Sequence, residues 1–141
     1  MLKCIAYIST ATSDFDAEEL ADLSKLCSSH NAVKGITGIL CYHNYSFLQF
    51  LEGDAINIME VYKRIGLDQR HKNVVKLFDQ AISRRAFPDW GMGLTRWDDL
   101  DAVQKAVFQD LSQVNLRIEE VDDDYVKRIN TFLFGFKKKR N

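Results

Sequence analysis

Almost every signature of covalent chemistry is missing from this sequence. Its cysteines are Cys4, Cys27 and Cys41, each among apolar neighbours and none in CxxC spacing. An odd count without such pairs fits reduced thiols inside a cell, not a disulfide framework. The histidines His30, His43 and His71 share no metal-ligand spacing with one another or with the cysteines, so no metal site is expected. There is no GxSxG elbow, no HExxH pair and no P-loop, which removes the usual marks of hydrolases and nucleotide triphosphatases. No apolar core with a small-residue cleavage site follows Met1, and no run approaches about eighteen apolar residues. The chain is therefore expected to be soluble and cytoplasmic, without membrane contact. Charge of one sign is lacking too: a net charge of −1 over 141 residues offers no field to draw in nucleic acid. The one basic run, Lys137-Lys138-Lys139-Arg140, reads as a solvated helix end.

What is present is an ordinary globular composition, 46% hydrophobic and 28% charged, in a chain of single-domain length. Leu2 to Ser9 reads as a strand, with Thr10 to Phe15 as its exit loop. Asp16 and Glu19 form a capping box for the following helix, and Phe15 and Leu20 occupy the staple positions. The helix buries Leu20, Leu23 and Cys27, and four residues further the same stripe reaches Asn31. Ile36–Tyr42 and Phe47–Glu52 are strands joined by a turn at His43-Asn44-Tyr45-Ser46. Asp54 is expected to cap a second helix that buries Ile58, Val61, Tyr62 and Ile65 and ends at Asp68-Gln69-Arg70-His71. Val74–Ser83 is a fourth strand and Gly91–Thr95 a short fifth.

This order predicts an α+β fold, a ferredoxin-like βαββαββ mixed sheet. The strands are apolar on both faces, so the sheet needs cover on both sides. Two helices supply one face. The stripes Leu100, Val103, Val107, Leu111, Val114 and Tyr125, Ile129, Phe132, Phe136 belong to C-terminal helices that pack on the other. Asp122-Asp123-Asp124 at the start of the last helix agree with its dipole. The expected organisation is a sheet with its two covering helices over residues 1–95 and a helical cap over 96–141, within one structural unit.

Gln49 is the anomaly. It interrupts Phe47-Leu48-Gln49-Phe50-Leu51, a strand expected to be buried on both faces. An unpaired buried amide costs roughly 1–3 kcal/mol, so Gln49 needs partners. These are either backbone groups or a tyrosine hydroxyl, or else a polar heterocycle held against the sheet. Tyr7 and Asn31 also point inward. A Tyr, a Gln and an Asn converging between helices and sheet make a hydrogen-bonding pocket without acid, base or nucleophile, a site suited to binding and sensing. Gly35-Ile36-Thr37-Gly38 has the form of a GxxG clamp but enters a strand with no basic field around it. Gly91-Met92-Gly93 has no helix start to make it a phosphate loop.

Five segments in order resemble the BLUF family, the blue-light sensors that use flavin. They are Tyr7-Ile8-Ser9, Asn31 with Gly35–Leu40, Phe47-Leu48-Gln49-Phe50-Leu51-Glu52-Gly53, Asp68-Gln69-Arg70-His71 and Arg85-Ala86-Phe87-Pro88-Asp89-Trp90-Gly91-Met92. The resemblance implies a non-covalent flavin, FAD or FMN, between the two helices. It implies that Gln49 bonds flavin N5 or O4 and that Tyr7 bonds Gln49. Asn31 would hold the C4 carbonyl and N3 region, and Arg70, with Asp68, the pyrimidine edge near O2. His71 and Lys72 would lie toward the ribityl or phosphate tail. His30 either encloses the ring or faces solvent. Trp90 and Met92, two apart and so on one face of an extended segment, are either plain core or a second switch on or beside the fifth strand. Gly91 and Cys27 depart from the family, where a hydroxyl side chain is more usual.

The implied function is a photoreceptor, not an enzyme, signalling through its C-terminal helices to a partner protein or to another copy of itself. The alternatives from the sequence are a cofactor-free interaction module and a flavin-dependent oxidoreductase.

Overall fold

The computed structural model describes residues 1–113 and 123–140, with side chains at all of these except 123–125 and 137–140. Strand β1 spans Leu2–Ala11, helix α1 Ala17–Val33, strands β2 and β3 Thr37–His43 and Ser46–Asp54, helix α2 Ala55–Gly66 and strand β4 His71–Ala81. A short strand β5 (Gly93–Thr95) precedes helices α3 (Ala102–Ser112) and α4 (Asp123–Arg140). The sheet order is β4-β1-β3-β2-β5, antiparallel except for the β2–β5 pair. This is the predicted α+β arrangement. The readings of Val114, Asp122, Asp123, Asp124, Tyr125 and the Lys137–Arg140 side chains lie outside what is described.

The expectation that both sheet faces are buried follows through to the core. Ile5, Tyr7, Leu40, Phe47 and Leu51 pack under α1 and α2, with Ile58 fully buried among them. Ala6, Ile8, Ile39, Leu48 and Phe50 face the other way, against Phe108, Leu111, Ile129, Phe132 and Phe136 of α3 and α4. The β2–β3 turn is a two-residue connection in which Asn44 and Tyr45 both have positive φ, 48° and 66°. Such a primed turn matches the twist of its strands. Gly38 in β2 admits no side chain, because a Cβ there would lie 1.9 Å from the Phe50 carbonyl oxygen.

The α1 capping box at Asp16 and Glu19 forms as expected, with Glu19 N–H donating to Asp16 at 2.8 Å. Several expectations are corrected. β1 runs on through Thr10 to Ala11, because Thr10 still pairs with Ser46. β4 begins at His71 instead of Val74, so Asp68–Arg70 form the turn and His71 belongs to the sheet. Asp54 flanks α2 but makes no side-chain cap bond; it is the last residue of β3, paired with Leu2, and the strand sets its direction. In α3 the buried stripe is Gln104, Phe108 and Leu111, while Val103 is exposed. Gln104 turns inward because its amide donates to the Phe132 carbonyl of α4 at 3.0 Å and accepts the Asp101 N–H at 3.0 Å. A buried amide satisfied twice competes well with a valine.

Candidate functional site

A cleft of about 460 Å³ opens between α1 and α2 over the sheet. Its floor is Tyr7, Leu40, Phe47, Gln49 and Leu51. One wall is Leu23, Leu26, Cys27, His30 and Asn31, the other Val61, Arg64, Ile65 and Leu67, and the β4 turn closes it with Asp68, Arg70 and His71. All seven residues proposed from the sequence as cofactor-binding therefore meet in one place. Arg64 and the apolar rim residues Leu26 and Leu67 are lining residues beyond those expected from the sequence. Arg64 sits three residues after Val61 and beside Ile65, so extending the α2 stripe to its charged neighbour would have found it.

The strand register places Tyr7 directly opposite Gln49, and Gln49 opposite Leu40. The Tyr7 hydroxyl donates to Gln49 Oε1, and Gln49 Nε2 donates to Met92 Sδ at 3.2 Å. Gln49 is thus held by a phenol and a thioether, and one of its N–H groups has no partner among the described residues. Tyr7 also meets Tyr62 and His71 edge-on, with ring centroids at 6.1 and 5.9 Å. Burial, with Cys27 and Asp68 adding to it, pushes the Tyr7 phenol above its ordinary range. It stays a proton donor at any ordinary pH.

Asn31 is 4% exposed and is the one fully buried residue of α1. Its main-chain carbonyl accepts from Lys34 and Ile36 N–H, at 3.0 Å each. Its side-chain amide has no hydrogen-bond partner among the described residues, although it lines the cleft. A buried carboxamide in that state is costly, and a polar ligand is the natural remedy.

Arg70 is pinned at the rim. Its backbone N–H, Nε and Nη2 all donate to the Asp68 carboxylate, which these bonds hold below the usual carboxylate range. His71 has both ring nitrogens engaged, Nδ1 with Ser9 Oγ at 2.7 Å and Nε2 with the Ile65 carbonyl at 2.6 Å. A carbonyl only accepts, so Nε2 carries the proton. The ring is therefore a strut between β1 and α2, which corrects the picture of a histidine free to reach a phosphate tail. Burial raises the Cys27 thiol, which leaves it a weak nucleophile. His30 is exposed on the cleft edge.

Trp90 and Met92 do not share a face. Met92 is 4% exposed and packs on the cleft side, whereas Trp90 joins the core under α3 and α4 and stacks on Phe87 at 5.3 Å. The extended-segment reading fails because β5 starts only at Gly93, and a bent chain does not alternate by two. The loop before it is anchored by Glu52, a buried carboxylate accepting the Ala86 and Phe87 N–H groups at 2.7 and 3.0 Å. Its position in an apolar strand, three residues after Gln49, was the available signal. Among the described residues no group of His, Cys, Asp or Glu could hold a metal, and no helix is long and apolar enough to cross a membrane.

The cleft fits a flat heteroaromatic group: apolar walls for its body, and Asn31, Gln49 and Arg70 for polar edges. Residues 2–93 match the family described as sensors of blue-light using FAD. The chain is 31% identical over 110 residues to the blue light- and temperature-regulated antirepressor BluF of Escherichia coli (strain K12), covering 77% of this chain and 27% of that protein. It is 36% identical over 90 residues to the photoactivated adenylate cyclase subunit beta of Euglena longa, covering 63% of this chain and 10% of that one. The dark-state structure of BlrB, a BLUF protein, superposes with a TM-score of 0.72 at 25% identity, over 94% of this chain and 95% of that chain. The chain thus spans about a quarter of the antirepressor and a tenth of the cyclase subunit.

Proposed function

The chain belongs to the family of sensors of blue light using FAD and is a flavin-binding light sensor, and from that premise we propose how its own residues do the work. FAD is the flavin in this reading. Tyr7, His30, Asn31, Gln49, Asp68, Arg70 and His71 form its site, with His71 acting as a strut and the others as contacts or, for Asp68, as the holder of Arg70. The observation that carries the reading is the buried Asn31 amide, which lacks a partner among the described residues and lines the same cleft as the Tyr7–Gln49 pair.

Bound flavin supplies absorption of blue light and, once excited, a strong one-electron oxidant. The Tyr7 proton already lies on a hydrogen bond to Gln49 Oε1, so it can move to that oxygen and back while every other residue stays in place. Gln49 ends either turned about its amide, with the proton back on Tyr7, or as the imidic tautomer, in which Oε1 keeps the phenol's proton and Nε2 gives one up to restore the Tyr7 hydroxyl. Turning places Oε1 toward Met92 Sδ, where two acceptors face each other, and the thioether loses the hydrogen bond it accepts now. Either outcome changes the hydrogen-bond donors that Gln49 offers to the cleft.

The arrangement favours sensing over catalysis. Asp68 is committed to Arg70, both His71 nitrogens are committed, and burial keeps the Cys27 proton in place. The cap over residues 96–141 is the output. Met92 adjoins Gln49 on one face, while Trp90, two residues before it, stacks on Phe87, and Phe87 meets Phe136 of α4 edge-on at 5.9 Å. A change at Gln49 is thereby linked to the last helix through the backbone between Met92 and Trp90 and then the Trp90, Phe87 and Phe136 rings, and the docking of that helix to a partner protein or a second copy of the chain is the signal.

One absorption spectrum before and after blue illumination tests this. Flavin-loaded protein is expected to be yellow and to show a red shift that decays in darkness. A protein that stays colourless after incubation with FAD would remove the proposal, and steady NADH consumption would replace it with a flavin oxidoreductase.

A further inference from the structure

The segment that delivers Met92 to Gln49 is also held by helix α1. Ser24 donates its hydroxyl to the Met92 carbonyl at 2.8 Å, across 68 positions of sequence. One turn further along α1, Ser28 abuts Gly91 so closely that a Cβ on the glycine would stand 2.6 Å from Ser28 Oγ. Residues 24 and 28 are four apart and share a helix face, while their neighbours Leu23 and Cys27 line the cleft. A serine inside a helix ordinarily bonds back to its own backbone or to water. Here its hydroxyl ties α1 to a different element.

Met92 is consequently tied twice. Its main chain is fixed to α1 by Ser24, and its sulfur accepts the Gln49 N–H at 3.2 Å. Moving the carbonyl moves the thioether. We propose that Ser24 is a positioning residue of the light response: its bond to the Met92 carbonyl sets the place of the thioether and so governs how fast the illuminated state returns to the dark one. The inference rests on the light-sensing reading above. After Gln49 has turned, its oxygen and the Met92 sulfur repel as two acceptors, and the thioether is displaced. Recovery has to bring Met92 back, and the Ser24 hydroxyl favours the returned position.

The test compares FAD-loaded wild type, Ser24→Ala and Ser24→Thr, reading dark recovery after a blue pulse. Ser24→Ala is expected to recover about three- to tenfold more slowly, the effect of one neutral hydrogen bond, and Ser24→Thr to stay near wild type. A second measurement does not depend on the variant folding. In wild type labelled with carbonyl-13C methionine, the light-minus-dark infrared spectrum is expected to show a shifting methionine carbonyl band. Met1 and Met59 are 89% and 61% exposed, so such a band belongs to Met92. If wild type cycles normally but Ser24→Ala recovers at the same rate or faster, or no methionine carbonyl band appears, this inference falls and light sensing stands. If wild type shows no photocycle at all, both fall.

Discussion

Tyr7 and Gln49 lie opposite each other in the β1–β3 register, and the phenol of one donates to the amide oxygen of the other inside the core. Backbone pairing sets the two side chains next to each other, so the phenol and the amide stay within reach whichever way the amide is turned. Removing either member should therefore silence the light response while leaving the cleft able to bind. Gln49→Ala and Tyr7→Phe are expected to retain flavin and lose the reversible red shift, read by difference absorption. Tyr7→Phe should also cost about 1–3 kcal/mol of stability, because Gln49 Oε1 is left buried without a donor. A complete photocycle in Gln49→Ala would reject the role given to the amide.

Asn31 makes a prediction with opposite signs in two states. In the cofactor-free chain its amide has no hydrogen-bond partner among the described residues, so Asn31→Ala should be close to neutral or mildly stabilising in denaturant unfolding. With flavin present the same change should weaken binding by about tenfold to a hundredfold, the worth of one or two buried hydrogen bonds. Destabilisation of the empty chain with unchanged flavin affinity would mean that the amide serves the fold alone.

Cys27 lines the cleft and its thiol is raised chiefly by burial, so its alkylation should be slow. A ligand in the cleft should slow it further, on the order of tenfold, because reactivity follows access as well as ionisation. Maleimide labelling with and without flavin, followed by peptide mapping at Cys27, measures this. Equal rates would place the flavin elsewhere.

The other thiols give a pH dependence. Burial, with Glu52 and Asp79 adding to it, pushes Cys4 from an ordinary 9.0 up to about 12, and burial does the same to Cys41 against a small opposing bond to Thr95. Each folded thiol holds its proton more tightly than the unfolded one. Stability is thus complete below the unfolded value and declines as pH rises from about 9 toward about 12, with a limiting slope of about 1.4 kcal/mol per pH unit from each thiol. Cys41→Ala should be less stable at neutral pH through lost packing, yet show a shallower alkaline decline in denaturant midpoints. An equally steep decline would assign the alkaline limb to other groups.

How much of this could be read from the sequence depends on what each signal measures. The Leu20, Leu23, Cys27 stripe led straight to Asn31, because a helix keeps its period and the α1 cap fixed the phase. The apolar run around Gln49 signalled a buried amide because no solvent face was left for it. The failures have two causes: sequence spacing says nothing about where an element begins, nor about which distant group a polar side chain will meet. Spacing by two pairs Trp90 with Met92 only inside a strand, and β5 starts at Gly93. Apolar spacing puts Val103 in a stripe that Gln104 occupies, because the Phe132 carbonyl that Gln104 satisfies belongs to a distant helix. The Ser24–Met92 bond had no sequence signature, since a hydroxyl on a helix looks like any solvated serine.

In the proposed mechanism the separation of Trp90 from Met92 divides sensing from output, and two substitutions two residues apart test it. Met92→Leu keeps the volume but removes the sulfur that accepts from Gln49 Nε2. The amide then loses the contact that favours its dark orientation, so the resting spectrum should move toward the illuminated one and the light-induced difference should shrink. Trp90→Phe leaves that contact alone but thins the stack on Phe87, which in turn meets Phe136 of α4. Its absorption change should persist, while hydrogen exchange along α4 should rise in the dark and respond less to light. The reverse result, with Trp90→Phe abolishing the red shift and Met92→Leu sparing it, would mean that the tryptophan and not the thioether adjoins the amide when flavin is bound.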